Sequence, residues 1–246
     1  MNLRLLTCVS LLSLAASGPA ALASPHKTKD HPKAVCNLVS DPGADAIVDP
    51  TIGLAKKGLQ DNNADILSAD IASDATYVTV VIRVKSLATP DAAWPEAHGY
   101  LVQWSVPGHA TPVYLGATLD PNPAAAVAYG PQFVFGDELT FKTPAVVFTG
   151  FNIDSAAKVK GTVDKTNATV TLSVPISQLG GYGTFKPGTR FDAVTAMSQV
   201  LINAPNTPKN LPLFGGSLAQ GMSTPDTDTA TKPYIAGTPS CIKPGS

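Results

Sequence analysis

Residues 77–85 read Tyr-Val-Thr-Val-Val-Ile-Arg-Val-Lys, and this stretch decides the fold class. Valine, isoleucine and threonine branch at Cβ, which restricts χ1 and suits a pleated strand better than a helix. Partial alternation of apolar and polar positions adds the period-two signature of a strand with one covered face. Working outward, similar short runs recur between turn residues. Ile66 to Ile71 is a brief strand before it. Gly99 to Val106 and Pro112 to Gly116 follow, split by the turn Pro107-Gly108-His109-Ala110, and read as a hairpin. Phe133 to Phe135 and Ala145 to Phe148 read as two more strands. Lys158 to Val163 and Ala168 to Val174 flank Asp164-Lys165-Thr166-Asn167 and make a second hairpin. Pro175 to Gly180 reads as one helical turn, with proline at its start and glycine at its stop. Phe191 to Ile202 is the last apolar strand, and residues 203–232 read as a long surface excursion. No stretch sustains a capped helical period. The expectation is an all-β fold, an antiparallel β-sandwich of jelly-roll or immunoglobulin-like type.

The 246 residues suit one domain or two small ones, and 44% hydrophobic residues against 14% charged ones allow an ordinary core. Lysine plus arginine number 17 against 18 acidic residues, a net charge of -1. A nucleic-acid binder needs a basic surface to release counterions, so no nucleic-acid partner is expected. Residues 1–23 read as a cleaved signal peptide: Arg4, an apolar run from Leu5 to Ala16, and Ala21-Leu22-Ala23 before Ser24. Gly18-Pro19 interrupts the run, which is short for about 30 Å of hydrocarbon, so no membrane span is expected. Residues 24–35 read as a disordered leader and 36–246 as a single β-sandwich domain, secreted to an extracellular location. Cleavage removes Cys8 and leaves Cys36 and Cys241, which outside a reducing cytosol are expected to form one disulfide.

A family resemblance joins these strands. Asp61 through Leu87, then Gly99 to Trp104 with Val113 to Leu115, then Val170 to Gly180, and finally Asp226-Thr227-Asp228 with Tyr234 to Gly237 are similar to a β-sandwich domain of secreted bacterial proteins. The wider group resembles the family-nine carbohydrate-binding modules and the DOMON-like sandwiches. The likeness spans roughly residues 37–241 and rests on strand and turn geometry. It implies a binding domain whose ligands are sugars or haem, without choosing between them.

The residues themselves suggest where chemistry lies. Asp61-Asn62-Asn63-Ala64-Asp65 places Asp61, Asn63 and Asp65 at alternate positions, and calcium takes six to eight hard oxygens, so these three are the candidate metal ligands. Asp41, Asp45 and Asp49 lie upstream as further carboxylates. Ile66 and Ala72 depart from the EF-hand pattern, and an Asx-rich solvated turn fits the same residues. Beyond calcium no cofactor is expected. Trp94, Tyr100, Trp104 and Tyr114 gather around the central hairpin, and sugars bind against aromatic faces, so these four are the candidate ligand-binding residues. Tyr100 and Trp104 share one face of a strand, and that face equally suits the core. His98, His109, Met197 and Met222 have no haem-ligand spacing. No G-x-S-x-G, H-E-x-x-H or phosphate loop occurs; Asp137, Glu138 and Asp192 are the carboxylates a glycosidase would draw on. The reading is a secreted, non-catalytic binding module for carbohydrate or cell-wall glycan. The alternatives are a structural or protein-interaction domain and an exported hydrolase.

Overall fold

The computed structural model describes residues 33–41, 43, 45–48, 59–87, 96–119, 132–142, 147–202 and 221–245. The expected signal peptide, the start of the leader and Trp94 lie outside them. In chain order the strands are β1 (Val39–Ser40), β2 (Ile47–Val48), β3 (Leu59–Gln60), β4 (Ile66–Ser73), β5 (Tyr77–Val84), β6 (Glu96–Ser105), β7 (Val113–Leu119), β8 (Gln132–Lys142), β9 (Val147–Ile153), β10 (Lys160–Asp164), β11 (Thr169–Pro175), β12 (Arg190–Ile202), β13 (Gly221–Thr229) and β14 (Tyr234–Ile235). Two single 3-10 turns, Ile176–Gln178 and Gly180–Tyr182, stand where one helical turn is expected.

The strands form two main antiparallel sheets. The five-stranded sheet runs β1-β4-β5-β11-β10; the seven-stranded one runs β13-β12-β6-β7-β8-β9, with β14 also on β12. β2 and β3 make a separate pair. Residues 77–84 lie at the centre of the smaller sheet, bonded to β4 on one side and β11 on the other. That position explains the density of apolar residues: Val78, Val80, Ile82 and Val84 are at most 2% exposed. Burying a side chain of this size is worth about 1.5–3 kcal/mol, offset in part by lost conformational freedom.

The two sheets face each other across one core. Val170, Leu172 and Val174 join the β5 residues on one side; Tyr100, Val102, Trp104, Val113, Leu115 and Phe135 meet them from the other. Trp104 stacks on Phe191 with centroids 5.7 Å apart. A smaller cluster, built on Leu101 and Tyr114, occupies the opposite face of the larger sheet. That is the period-two alternation of β6 and β7 made visible.

The chain enters and leaves the domain at one place. Cys36 and Cys241 form the disulfide, with Cα atoms 5.1 Å apart. The Val35 N–H donates to Pro239 O at 2.9 Å, and the Cys241 N–H donates to Val35 O at 3.2 Å. Farther along, the Gly245 N–H donates to Thr79 Oγ1 at 2.8 Å. Tyr234 links β14 to β4: its hydroxyl accepts the Ser73 N–H at 2.9 Å and donates to Thr238 O at 3.2 Å.

Two elements depart furthest from the sequence expectation, which also had no strand at β1, β2, β3 or β14. β8 has 11 residues where three were expected. Gly136-Asp137-Glu138 breaks its apolar pattern, yet the backbone pairs through these residues. Glycine is required at 136, because a Cβ there would lie 1.7 Å from Asn152 O. The second difference is β13, which falls inside the expected surface excursion. Its sequence, GMSTPDTDT, has little apolar content and contains Pro225. An edge strand tolerates both, because it needs only one side bonded; among the described strands β13 pairs with β12 alone, across a bulge at Ser198/Val200.

Candidate functional site

Two clusters of polar side chains stand out among the described residues. The first gathers four carboxylates. Asp41, Asp45, Asp65 and Asp226 each offer one oxygen, and these oxygens all lie within 4.8 Å of one another. Three different segments deliver them. Asp41 follows β1, where its N–H donates to Leu67 O at 3.2 Å, and its Oδ1 accepts the Gly43 N–H at 2.8 Å in a tight Asx turn. Gly43 has φ +76, and a Cβ there would come 2.9 Å from Leu67 Cδ2, so glycine lets the turn close on the cluster. Asp65 heads β4 and is fully buried; its Oδ2 accepts from Lys85 Nζ at 3.2 Å. Asp226 comes from β13, 161 residues after Asp65, and its Oδ2 accepts the Ile66 N–H at 2.6 Å. Asp45 is the exposed member.

Like charges this close cannot all ionise without help. At an effective dielectric constant of about 20, each pair at that spacing costs roughly 3 kcal/mol. The side chains respond accordingly: burial, then the charges of Asp41, Asp45 and Asp228, push Asp226 up to about 7 against the opposing bond from Ile66. Burial, then the adjacent carboxylate of Asp41, push Asp228 up to about 6. Asp41 is 7% exposed, and its Oδ2 makes no hydrogen bond among the described residues.

Of the two expected carboxylate ligands, Asp65 belongs to this cluster and Asp61 does not. Asp61 turns away to His98, Oδ2 to Nε2 at 2.6 Å, and its Oδ1 accepts the Asn63 N–H at 2.9 Å. The Asn63 carbonyl accepts the Tyr100 hydroxyl at 2.6 Å. The physical reason is the turn itself: Asp61 caps it and holds His98, so its carboxylate is taken up there. Burial raises the Asp61 carboxyl, but the His98 hydrogen bond and charge with the Asn63 and Ala64 amides outweigh it and leave it below its ordinary 3.8. Asp49 lies outside the described residues. The sequence offers Asp226 only within the family resemblance and not as a ligand, because β13 carries no strand signal; the upstream carboxylates Asp41 and Asp45 were legible.

The aromatic residues also need correction. Trp104 is 0% exposed and Tyr100 and Tyr114 are 1% exposed. Tyr100 and Trp104 do share a face, and it is the face turned to the other sheet. Their rings are spent on packing and leave no surface for a sugar. Tyr114 points to the opposite face, edge-on to Phe151 at 5.3 Å, and is buried there.

The second cluster lies beside Tyr182, which is half-buried. Its ring stands edge-on to His109 at 5.3 Å and to Phe135 at 4.9 Å. Burial, then its hydrogen bond to Asp154 and the charges of Asp154 and Asp137, push the phenol up to about 12. Asp137 Oδ2 meets His109 Nε2 and Thr111 Oγ1, both at 3.2 Å, while Oδ1 accepts from Asn152 Nδ2 at 3.0 Å. Both histidines weighed as haem ligands therefore hold carboxylates, His98 on Asp61 and His109 on Asp137. Asp192, weighed as a glycosidase carboxylate, pairs with Arg190 on the surface. No protein-family model matches the chain, and neither does any curated protein.

Proposed function

We propose that the chain is an exported, non-catalytic β-sandwich binding module whose ligand class is carbohydrate or cell-wall glycan. The observation that carries this reading is the Tyr182 cluster. An aromatic ring with part of its surface open stands beside a carboxylate, an amide, an imidazole and a hydroxyl that are already held in place by one another. Sugars are bound by that combination: an apolar ring against the pyranose face, and fixed polar groups for the hydroxyls. The disulfide supports export, since such bonds persist in oxidising compartments. The strand and turn resemblance to family-nine carbohydrate-binding modules points the same way.

The experiment is a glycan array probed with the purified full chain, followed by Tyr182→Ala. The expected result is binding to one glycan class that Tyr182→Ala abolishes with the circular dichroism spectrum unchanged. A silent array would replace this reading with a structural or protein-interaction domain.

A further inference from the structure

The four carboxylates of the first cluster bear on a different question from ligand recognition. We propose that Asp41, Asp45, Asp65 and Asp226 form a calcium site that ties the β1–β4 edge of the smaller sheet to β13 at the edge of the larger one.

Two independent observations carry this. The first is geometric: four oxygens from three chain segments converge within 4.8 Å. The second is the state of Asp41. Its Oδ1 is anchored by the Gly43 N–H, which fixes the carboxylate, and its Oδ2 is left buried without a donor. A carboxylate oxygen removed from water without a hydrogen bond is costly, and a cation among its neighbours removes that cost. Three of the four groups are buried and Asp45 is exposed, so the ion has a route in from solvent.

The donor set chooses the ion. The oxygens are all hard and no histidine or cysteine among the described residues belongs to the cluster, which disfavours zinc and copper. Magnesium demands a small octahedron and keeps several waters, whereas calcium accepts irregular shells of six to eight oxygens, with carboxylates bound through one oxygen or two. The bond from the Ile66 N–H to Asp226 already crosses between the sheets at this point. The ion reinforces an existing bridge.

The test uses the full chain stripped with EDTA and then titrated with calcium chloride by calorimetry, with terbium luminescence as a second probe. One ion per chain is expected, together with a melting temperature several degrees higher in 10 mM calcium than in EDTA. Asp41→Asn, Asp45→Asn and Asp226→Asn should each weaken binding at least tenfold, while Asp164→Asn, in the exposed β10–β11 turn, should not change it. Asp45 is exposed, so its variant keeps the test readable if the buried ones fail to fold. Absence of heat, of terbium luminescence and of any melting shift in the unaltered chain would overturn the proposal. So would unchanged affinity in folded Asp41→Asn and Asp226→Asn. An equal response to magnesium would overturn the assignment to calcium.

Discussion

Replacing Cys36 and Cys241 together by serine removes one covalent link and almost nothing else. The paired residues are 205 apart in sequence, so the bond closes nearly the whole domain into a loop. The chain-entropy treatment gives such a loop about 18 cal/mol/K, or about 5 kcal/mol at 25 °C, all of it acting on the unfolded chain. For a domain of this length each kcal/mol moves the melting temperature by roughly 2–4 °C, so the loss should be on the order of 10–20 °C. The folded state should scarcely notice. The backbone bonds between Val35, Pro239 and Cys241 remain, and so does the bond from Gly245 to Thr79. The assay is thermal and urea unfolding of the oxidised protein and the double-serine variant, with near-ultraviolet circular dichroism as the check on native packing. The urea slope should steepen in the variant, because its unfolded chain exposes more surface. A variant with native packing whose midpoint falls by less than about 3 °C would refute the entropic argument.

Two further outcomes follow from single groups. Tyr234→Phe leaves the buried Ser73 N–H without its acceptor and should cost about 1–3 kcal/mol in urea unfolding, with little change in packing volume; a loss under about 0.3 kcal/mol would mean that another acceptor takes over. Asp61, held below its ordinary 3.8, stays ionised in the folded protein at a pH where the unfolded chain has already taken up a proton. Its contribution is therefore complete above about pH 4 and is lost as pH falls through the lower, folded value. Asp61→Asn should flatten that acid limb in melting curves recorded from pH 2 to 6, and an unchanged limb would assign the acid sensitivity to other carboxylates.

Strand identity was legible wherever burial on the inner face demanded apolar side chains at every second position. β5 and β11 announce themselves for this reason, and the Asp164 to Asn167 turn between β10 and β11 carries its own signal in the amides that Asp164 accepts. β13 is silent because an edge strand rich in threonine, serine and aspartate stands on backbone bonds that no side chain reports. The site inherits that silence. Asp65 could be read from its loop, but its partner Asp226 arrives through the register of β12 with β13, a long-range fact that local pattern does not contain. The aromatic misreading has a related cause. Alternation says that Tyr100 and Trp104 share a face; only the presence of the second sheet says which face is covered.

The adjacency of the two places where the polypeptide comes in and goes out has a practical meaning. With Cys36 and Cys241 sharing one spot, their Cα atoms 5.1 Å apart, a few residues suffice to splice one to the other, and a new opening can be cut at an exposed turn such as Lys165-Thr166. The same geometry suits the sandwich to insertion within a loop of a larger host, hung from a single stalk.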